Sequence, residues 1–347
     1  MAGINERELV YDMLTLVFKN GDQSTRILSG MLDKHSYLEK RQRAFISRLF
    51  RGTLEEYIYT DYVIGRYSSV RVNKIKLPVL IILRMSVYQI LKMDHIPDRA
   101  AVNEAVKLAK KRGLGRLSGF INGVLRSIAN NKDSIVLPDQ KKDMIGHLSV
   151  LYSLPKWLIS DWTRCYGTEA VHMMGEAFLS NRDTAVRVRD TDHIDEVIRE
   201  LKAEGLSVSR GNIFPQVLYL SGFDSLAYVP AFTEGRITVQ DEASLIPAAA
   251  SGVTDGMKVL DVCAAPGGKS IHMSDIMHGT GTVVSRDISE QKAVKIRENL
   301  ERCHIENITV QVRDACELYE EDGEQYDAVM ADLPCSGLGV LGRKPDI

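Results

Sequence analysis

Apolar positions recur at three- and four-residue spacing through the first part of the chain. Between Glu6 and Lys19 they are Leu9, Val10, Met13, Leu14, Val17 and Phe18; between Leu38 and Ile58 they are Phe45, Ile46, Leu49, Phe50, Leu54 and Ile58. Residues so spaced share one face of an α-helix, so each segment predicts a helix with one buried side. Pro78 opens a further helix, whose apolar content through Leu91 suits the centre of a bundle. Asp98 is placed to cap the next, Arg99 to Arg112, which Gly113 ends. The pattern predicts an all-helical bundle over residues 1–135. Asn130 to Lys142, poor in apolar residues and containing Pro138, reads as a linker.

From about residue 145 the periodicity is mixed, which predicts a small α/β insert over 145–235. Pro155 and Trp157 begin a helical stretch, Ala185 to Val188 reads as a short strand, and Ile194 to Glu204 as an amphipathic helix ending at Gly205. Two strand-like runs follow, Gln216 to Leu220 and Leu226 to Pro230. Arg187 and Arg189 alternate with Val186 and Val188, so one strand face either offers two guanidiniums to a nucleic-acid phosphate or is simply solvated.

Residues 236–347 read as an α/β domain. Short apolar runs at Lys258 to Val262, Thr282 to Ser285, Ile308 to Val312 and Tyr326 to Ala331 alternate with helical stretches, the signature of a parallel sheet. The last three end at or near Asp287, Asp314 and Asp332, at the carboxyl edge where such sheets bind ligands. After the first comes Cys263-Ala264-Ala265-Pro266-Gly267-Gly268-Lys269-Ser270. This strand, glycine turn and helix lets a ligand approach the backbone and offers helix N–H groups to an anion such as a carboxylate. It is neither the dinucleotide pattern G-x-G-x-x-G nor a P-loop. An acidic residue at the position of Asp287 can accept both ribose hydroxyls of an adenosine cofactor.

The net charge of -2 hides an asymmetry. Residues 1–140 carry 23 Lys+Arg against 14 Asp+Glu, while 141–347 carry 21 against 32. Only the front has the electrostatics of a nucleic-acid surface. The longest apolar run, Leu77 to Leu83, contains Pro78 and meets Arg84, and Glu6, Arg7 and Glu8 interrupt the N-terminus, so neither a membrane helix nor a signal peptide is expected and the location is cytoplasmic. Five cysteines without a C-x-x-C pair predict free thiols and no metal.

Ala101 to Ile128, AVNEAVKLAKKRGLGRLSGFINGVLRSI, resembles the NusB-like RNA-binding domain. Asp261-Val-Cys-Ala-Ala-Pro-Gly-Gly-Lys-Ser270, Asp332-Leu-Pro-Cys-Ser-Gly337 and the preceding Gln240-Asp241-Glu242-Ala243-Ser244 resemble the motifs of RNA 5-methylcytosine methyltransferases. Together the set is similar to the Sun/RsmB (Fmu) family of 16S ribosomal RNA methyltransferases. The resemblance implies a multidomain protein: a NusB-like bundle, an α/β insert and a Rossmann-like domain. It implies S-adenosylmethionine as cofactor, small-subunit ribosomal RNA as partner, a monomer, and methylation of a cytosine of the position-967 type.

It also assigns residues. The cofactor's methionine end falls to Cys263, Ala264, Ala265, Pro266, Gly267, Gly268 and Lys269, its ribose to Asp287 and its adenine to Asp314, with Asp332 beside it. Carbon 5 of cytosine is too weak a nucleophile until a thiolate adds at carbon 6. Asp332 would hydrogen-bond the ring-nitrogen side of the base, and Cys335 would serve the release step. The attacking cysteine belongs to a Thr-Cys-Ser/Thr run that residues 1–347 do not contain, so the domain is expected to be incomplete and this chain inactive. Arg189 and Leu333 stand where the family usually has Asn and Ala. Alternatives are a non-catalytic RNA-binding assembly factor or a methyltransferase of another RNA.

Overall fold

The computed structural model describes residues 5–180, 183–223 and 225–342. They form two compact units, one running to Ser180 and including the residues from Gly337 on, the other ending at Ser336.

The first unit is helical: α1 (Glu6–Asn20), α2 (Ser24–Lys34), α3 (Lys40–Glu55), α4 (Tyr57–Tyr67), α5 (Leu77–Lys92), α6 (Asp98–Lys111), α7 (Ser118–Asn130), α8 (Met144–Leu151) and α9 (Lys156–Leu179). Asn5 caps α1, its side chain accepting from the N–H groups of Arg7 and Glu8, and Gly21, with φ 73°, ends it in the left-handed conformation open to glycine. Every residue of α5 from Val79 to Ile90 is buried, which accounts for its lack of a polar face. The charge this buries, Arg84, is matched by two hydrogen bonds to Asp61 at 2.7 and 2.6 Å. Leu148, Leu158, Ile159 and Trp162 of α8 and α9 make a separate core cluster.

Two sequence expectations change here. The single helix over Leu38 to Ile58 is two, because α3 stops at Glu55 and α4 starts at Tyr57. The Ser153 hydroxyl accepts from the N–H groups of Ile58 and Tyr59 at 3.1 and 3.4 Å and satisfies the new helix start, a contact no local pattern announces. Asp98 is the first residue of α6 and not its cap, which is Pro97; its carboxylate pairs with Lys132 at 2.9 Å.

The second unit holds two sheets. Strands β1 (Thr184–Val188), β2 (Ser207–Arg210), β3 (Val217–Ser221) and β4 (Ile237–Val239) form an antiparallel sheet in the order β2-β3-β1-β4, with α10 (Ile194–Ala203) packed on Val186, Val188, Leu218 and Leu220. The strand expected at Leu226 to Pro230 is absent. A short 3-10 turn, Leu226–Tyr228, leads into α11 (Pro230–Thr233), since Pro230 lacks an N–H and suits a first helical turn. After α12 (Ile246–Ala250) come β5 (Lys258–Asp261), α13 (Gly268–Ile276), β6 (Thr282–Asp287), α14 (Glu290–Arg302), β7 (Ile308–Val312) and β8 (Ala328–Met330). These four strands form the expected parallel sheet, in the order β7-β6-β5-β8.

Arg187 and Arg189 take neither of the roles expected of them. Arg187 is 1% exposed. Asp275 on α13 accepts from Arg187 Nη1 at 2.8 Å and from Arg189 Nη2 at 2.8 Å, and Arg189 Nη1 also reaches the carbonyls of Gly235 and Cys303. One carboxylate thus ties the antiparallel sheet to α13, and the guanidiniums are unavailable to a phosphate. Asp275→Ala should therefore leave two guanidiniums without a counter-charge and cost about 3–5 kcal/mol, the usual penalty for breaking a buried pair from one side. Urea denaturation of both proteins measures the loss, and a change under about 1 kcal/mol would mean that solvent compensates the pair.

Candidate cofactor and catalytic site

The carboxyl edge of the parallel sheet gathers most of the residues singled out in the sequence. The turn after β5 is pinned to β6, for Ala264 N donates to Arg286 O at 2.8 Å, and it closes on itself where Gly267 N meets Ala264 O at 2.6 Å. Gly267 has φ 104°, a conformation that favours glycine, and a Cβ there would also make a tight 3.3 Å contact with the Ile296 side chain. Gly268 begins α13, whose leading N–H groups point back into the turn as every helix N-terminus does.

Asp287 closes β6 and is 3% exposed. Its Oδ2 accepts from Ala265 N at 3.1 Å, and its Oδ1 from Ile288 N at 2.8 Å and Lys292 Nζ at 2.9 Å. Burial works to raise its pKa, but these three donors outweigh burial and hold the carboxyl below the usual carboxylate range. Two carboxylate oxygens offer about four acceptor positions, so one remains for a ligand. Ile288, the next residue, is 60% exposed and puts an apolar surface beside that carboxylate.

Asp314 lies two residues past β7, half-buried, with its Oδ1 accepting from Cys316 N at 2.9 Å and its own N–H donating to the Tyr319 hydroxyl at 3.2 Å. Asp332, two residues past β8, is about half exposed, and its Oδ2 stands 2.6 Å from Lys269 Nζ. That ion pair links the glycine turn to the Asp332–Cys335 segment. Cys335 is exposed on a loop and Cys263 is partly buried, with burial pushing its thiol pKa up.

Three residues support the site, two of which escaped sequence reasoning. Lys292 reaches back to Asp287 from the first turn of α14, and Asn299 Nδ2 holds Pro266 O at 2.9 Å. Asp261, 1% exposed, accepts from the Ser270 hydroxyl at 2.7 Å, and burial raises its pKa to about 6. Asp261 opens the motif that runs to Ser270, whereas nothing in the sequence singled out Lys292 or Asn299.

A cavity of about 1430 Å³ lies elsewhere, at the amino ends of β6 and β7. Arg187, Arg189, Asp275, Glu196, Gly279 and Asn307 are among its walls. Size is a poorer guide here than donor chemistry: this cavity's arginines are already paired with carboxylates, whereas the sheet edge offers a glycine turn, a helix start and strand-end carboxylates.

Comparison with known proteins agrees with this geometry. The NusB family matches residues 4–130, and the 16S rRNA methyltransferase RsmB/F family matches residues 251–347. The probable ribosomal RNA small subunit methyltransferase B of Bacillus subtilis (strain 168) is 34% identical over 100% of this chain and 77% of its own length. The corresponding protein of Synechocystis sp. (strain ATCC 27184 / PCC 6803 / Kazusa) is 29% identical over 99% of this chain and 77% of its own. In overall fold the chain is similar to the crystal structure of PH0851, with TM-score 0.77 and 23% identity over 99% of this chain and 77% of that one. With a NusB-type front, an RsmB/F-type parallel sheet and identity that runs from end to end, the chain belongs to the ribosomal RNA small subunit methyltransferase B family.

Proposed function

We propose that this chain binds S-adenosylmethionine at the carboxyl edge of the parallel sheet and carries the cofactor, base-holding and release residues for methylation of carbon 5 of a cytosine in small-subunit ribosomal RNA, the attacking thiolate not being among its 347 residues. The observation that carries the reading is the Lys269–Asp332 ion pair, 2.6 Å long, which joins the cofactor turn to the segment holding Cys335. When bound, the cofactor supplies a methyl group on a positively charged sulfur.

The residues present fit such a ligand. The turn from Cys263 to Lys269 and the start of α13 would hold its carboxylate, Asp287 would accept from the ribose, and Asp314 with the exposed Ile288 would border the adenine. Asp332 would hydrogen-bond the ring-nitrogen side of the cytosine and stabilise charge there as a thiolate adds at carbon 6. Cys335 would serve the departure of the carbon 5 proton. An RNA-binding bundle over residues 1–135 within the helical unit, an insert over 145–235 whose first helices α8 and α9 belong to that unit, and the sheet domain over 236–347 would divide the work between RNA binding and chemistry.

A simple test separates binding from turnover. The 347-residue chain should bind a small-subunit RNA transcript with an affinity that falls at least tenfold between about 50 and 200 mM salt, because phosphate contacts release counterions. Gel shifts across that range decide it. Salt-independent binding, or none, would make the basic front a protein-interaction surface.

A further inference from the structure

Between Tyr62 and Met93 the chain carries Arg66, Arg71, Lys74, Lys76, Arg84 and Lys92 and not one acidic residue. Two of these cations are spent inside the helical unit, Arg84 on Asp61 at 2.6 Å and Lys92 on Glu56 at 2.9 Å. The other four lie in the connection from the end of α4 to the start of α5, where all are exposed. None of the four makes an ion pair among the described residues; Arg66 donates to the Tyr62 hydroxyl at 3.1 Å and lies over that ring, 5.9 Å from its centroid.

The local backbone gathers these charges. Val72–Lys74 is a 3-10 turn led by Arg71, closed where Lys74 N donates to Arg71 O at 2.8 Å, so one tight turn brings the backbones of these two cationic residues together. Lys76 then occupies the cap position of α5, a 16-residue helix with no side-chain cap bond and with Pro78 in its first turn. The positive end of that helix dipole adds to the four formal charges. Ser68 stiffens the approach, accepting from Val70 N at 3.0 Å and donating to Val70 O at 2.8 Å. Elsewhere on the unit, cations such as Lys111 and Arg112 are neutralised by Glu8 and Asp12.

We propose that the segment from Arg66 to Lys76 is the surface on which the helical unit holds the phosphate backbone of its RNA. The inference rests on the reading of this chain as an RNA-acting protein and adds which surface does the holding. Four unspent cations on one short, ordered connection give phosphates a fixed target without competition from carboxylates. They carry no base readout, so this contact positions RNA and leaves the choice of nucleotide to the sheet edge.

The test compares two charge-matched variants of the 347-residue chain on one small-subunit RNA transcript. The first combines Arg66→Gln, Arg71→Gln, Lys74→Gln and Lys76→Gln. The second combines Arg26→Gln, Arg41→Gln, Arg99→Gln and Arg126→Gln, exposed cations dispersed over α2, α3, α6 and α7. At about 0.1 M salt the first should bind at least tenfold more weakly than the unsubstituted chain, and its slope of log affinity against log salt should flatten by about 3, at roughly 0.7–0.9 per lost phosphate contact. The second should stay within about threefold. Equal losses in both would show diffuse attraction and overturn the assignment, as would a larger loss in the second. If the unsubstituted chain itself ignores the RNA, the functional reading falls as well. Melting temperatures confirm that both variants are folded.

Discussion

Asp287→Ala is expected to weaken S-adenosylmethionine binding by tenfold or more while the protein stays folded. A charge-assisted hydrogen bond from a ribose hydroxyl contributes roughly 1.5–3 kcal/mol, and about 1.4 kcal/mol is a factor of ten in affinity. The carboxylate has a second role, because its Oδ2 holds Ala265 N and thereby the turn that would take the methionine end. Asp287→Asn separates the two: it keeps an acceptor for Ala265 N and loses the charge that Lys292 and the ribose share. Both variants should lose affinity, the alanine variant more. Because its three donors hold Asp287 below the usual carboxylate range, it stays ionised as pH falls from about 8 to 5 and its contribution should be constant there. Calorimetric titration at several pH values measures all of this. Unchanged affinity in both variants would place the ribose elsewhere.

The sheet edge was legible for a physical reason. Parallel strands are covered on both faces and therefore appear as continuous apolar runs, and a polar residue at the end of each run marks the carboxyl edge; Val259, Leu260, Val283 and Val284, all buried, show the pattern. The glycine turn was equally legible, since Gly267 has a conformation that other residues rarely adopt.

What the sequence hid was set by tertiary partners. Arg187 and Arg189 have the alternation of a solvated or phosphate-binding face, but Asp275, 86 residues beyond Arg189, accepts both. No local pattern distinguishes an arginine that will be met from one that will not. The start of α4 depends in the same way on Ser153, and the support of Asp287 on Lys292. Leu226 to Tyr228 misled because β-favouring residues next to a proline suit a strand or a turn equally well. Charge told the reverse story: the surplus of the first 140 residues was visible at once, but which cations remain unspent emerged only after the ion pairs of Arg84, Lys92, Lys111 and Arg112 were accounted for.

No covalent adduct is expected when the 347-residue chain meets RNA carrying 5-fluorocytidine, with S-adenosylmethionine present. Fluorine at carbon 5 cannot leave as a proton, so a thiolate that has added at carbon 6 stays attached after methyl transfer and the complex survives denaturation. The cysteine next to Asp332 in the sequence is Cys335, three residues on and exposed. If it serves release only, it makes no bond to carbon 6, and within these residues no cysteine stands in a Thr-Cys-Ser/Thr run to make it instead. Denaturing gels should then show free RNA, and label from the cofactor should not enter unmodified RNA. On a longer chain that does carry such a run, the expectation reverses for Cys335→Ala: attack and transfer proceed, release stalls, and adduct accumulates on ordinary cytosine. A denaturation-resistant band from the 347-residue chain that disappears in Cys335→Ala would identify Cys335 as the attacking thiolate and overturn the assignment of its role.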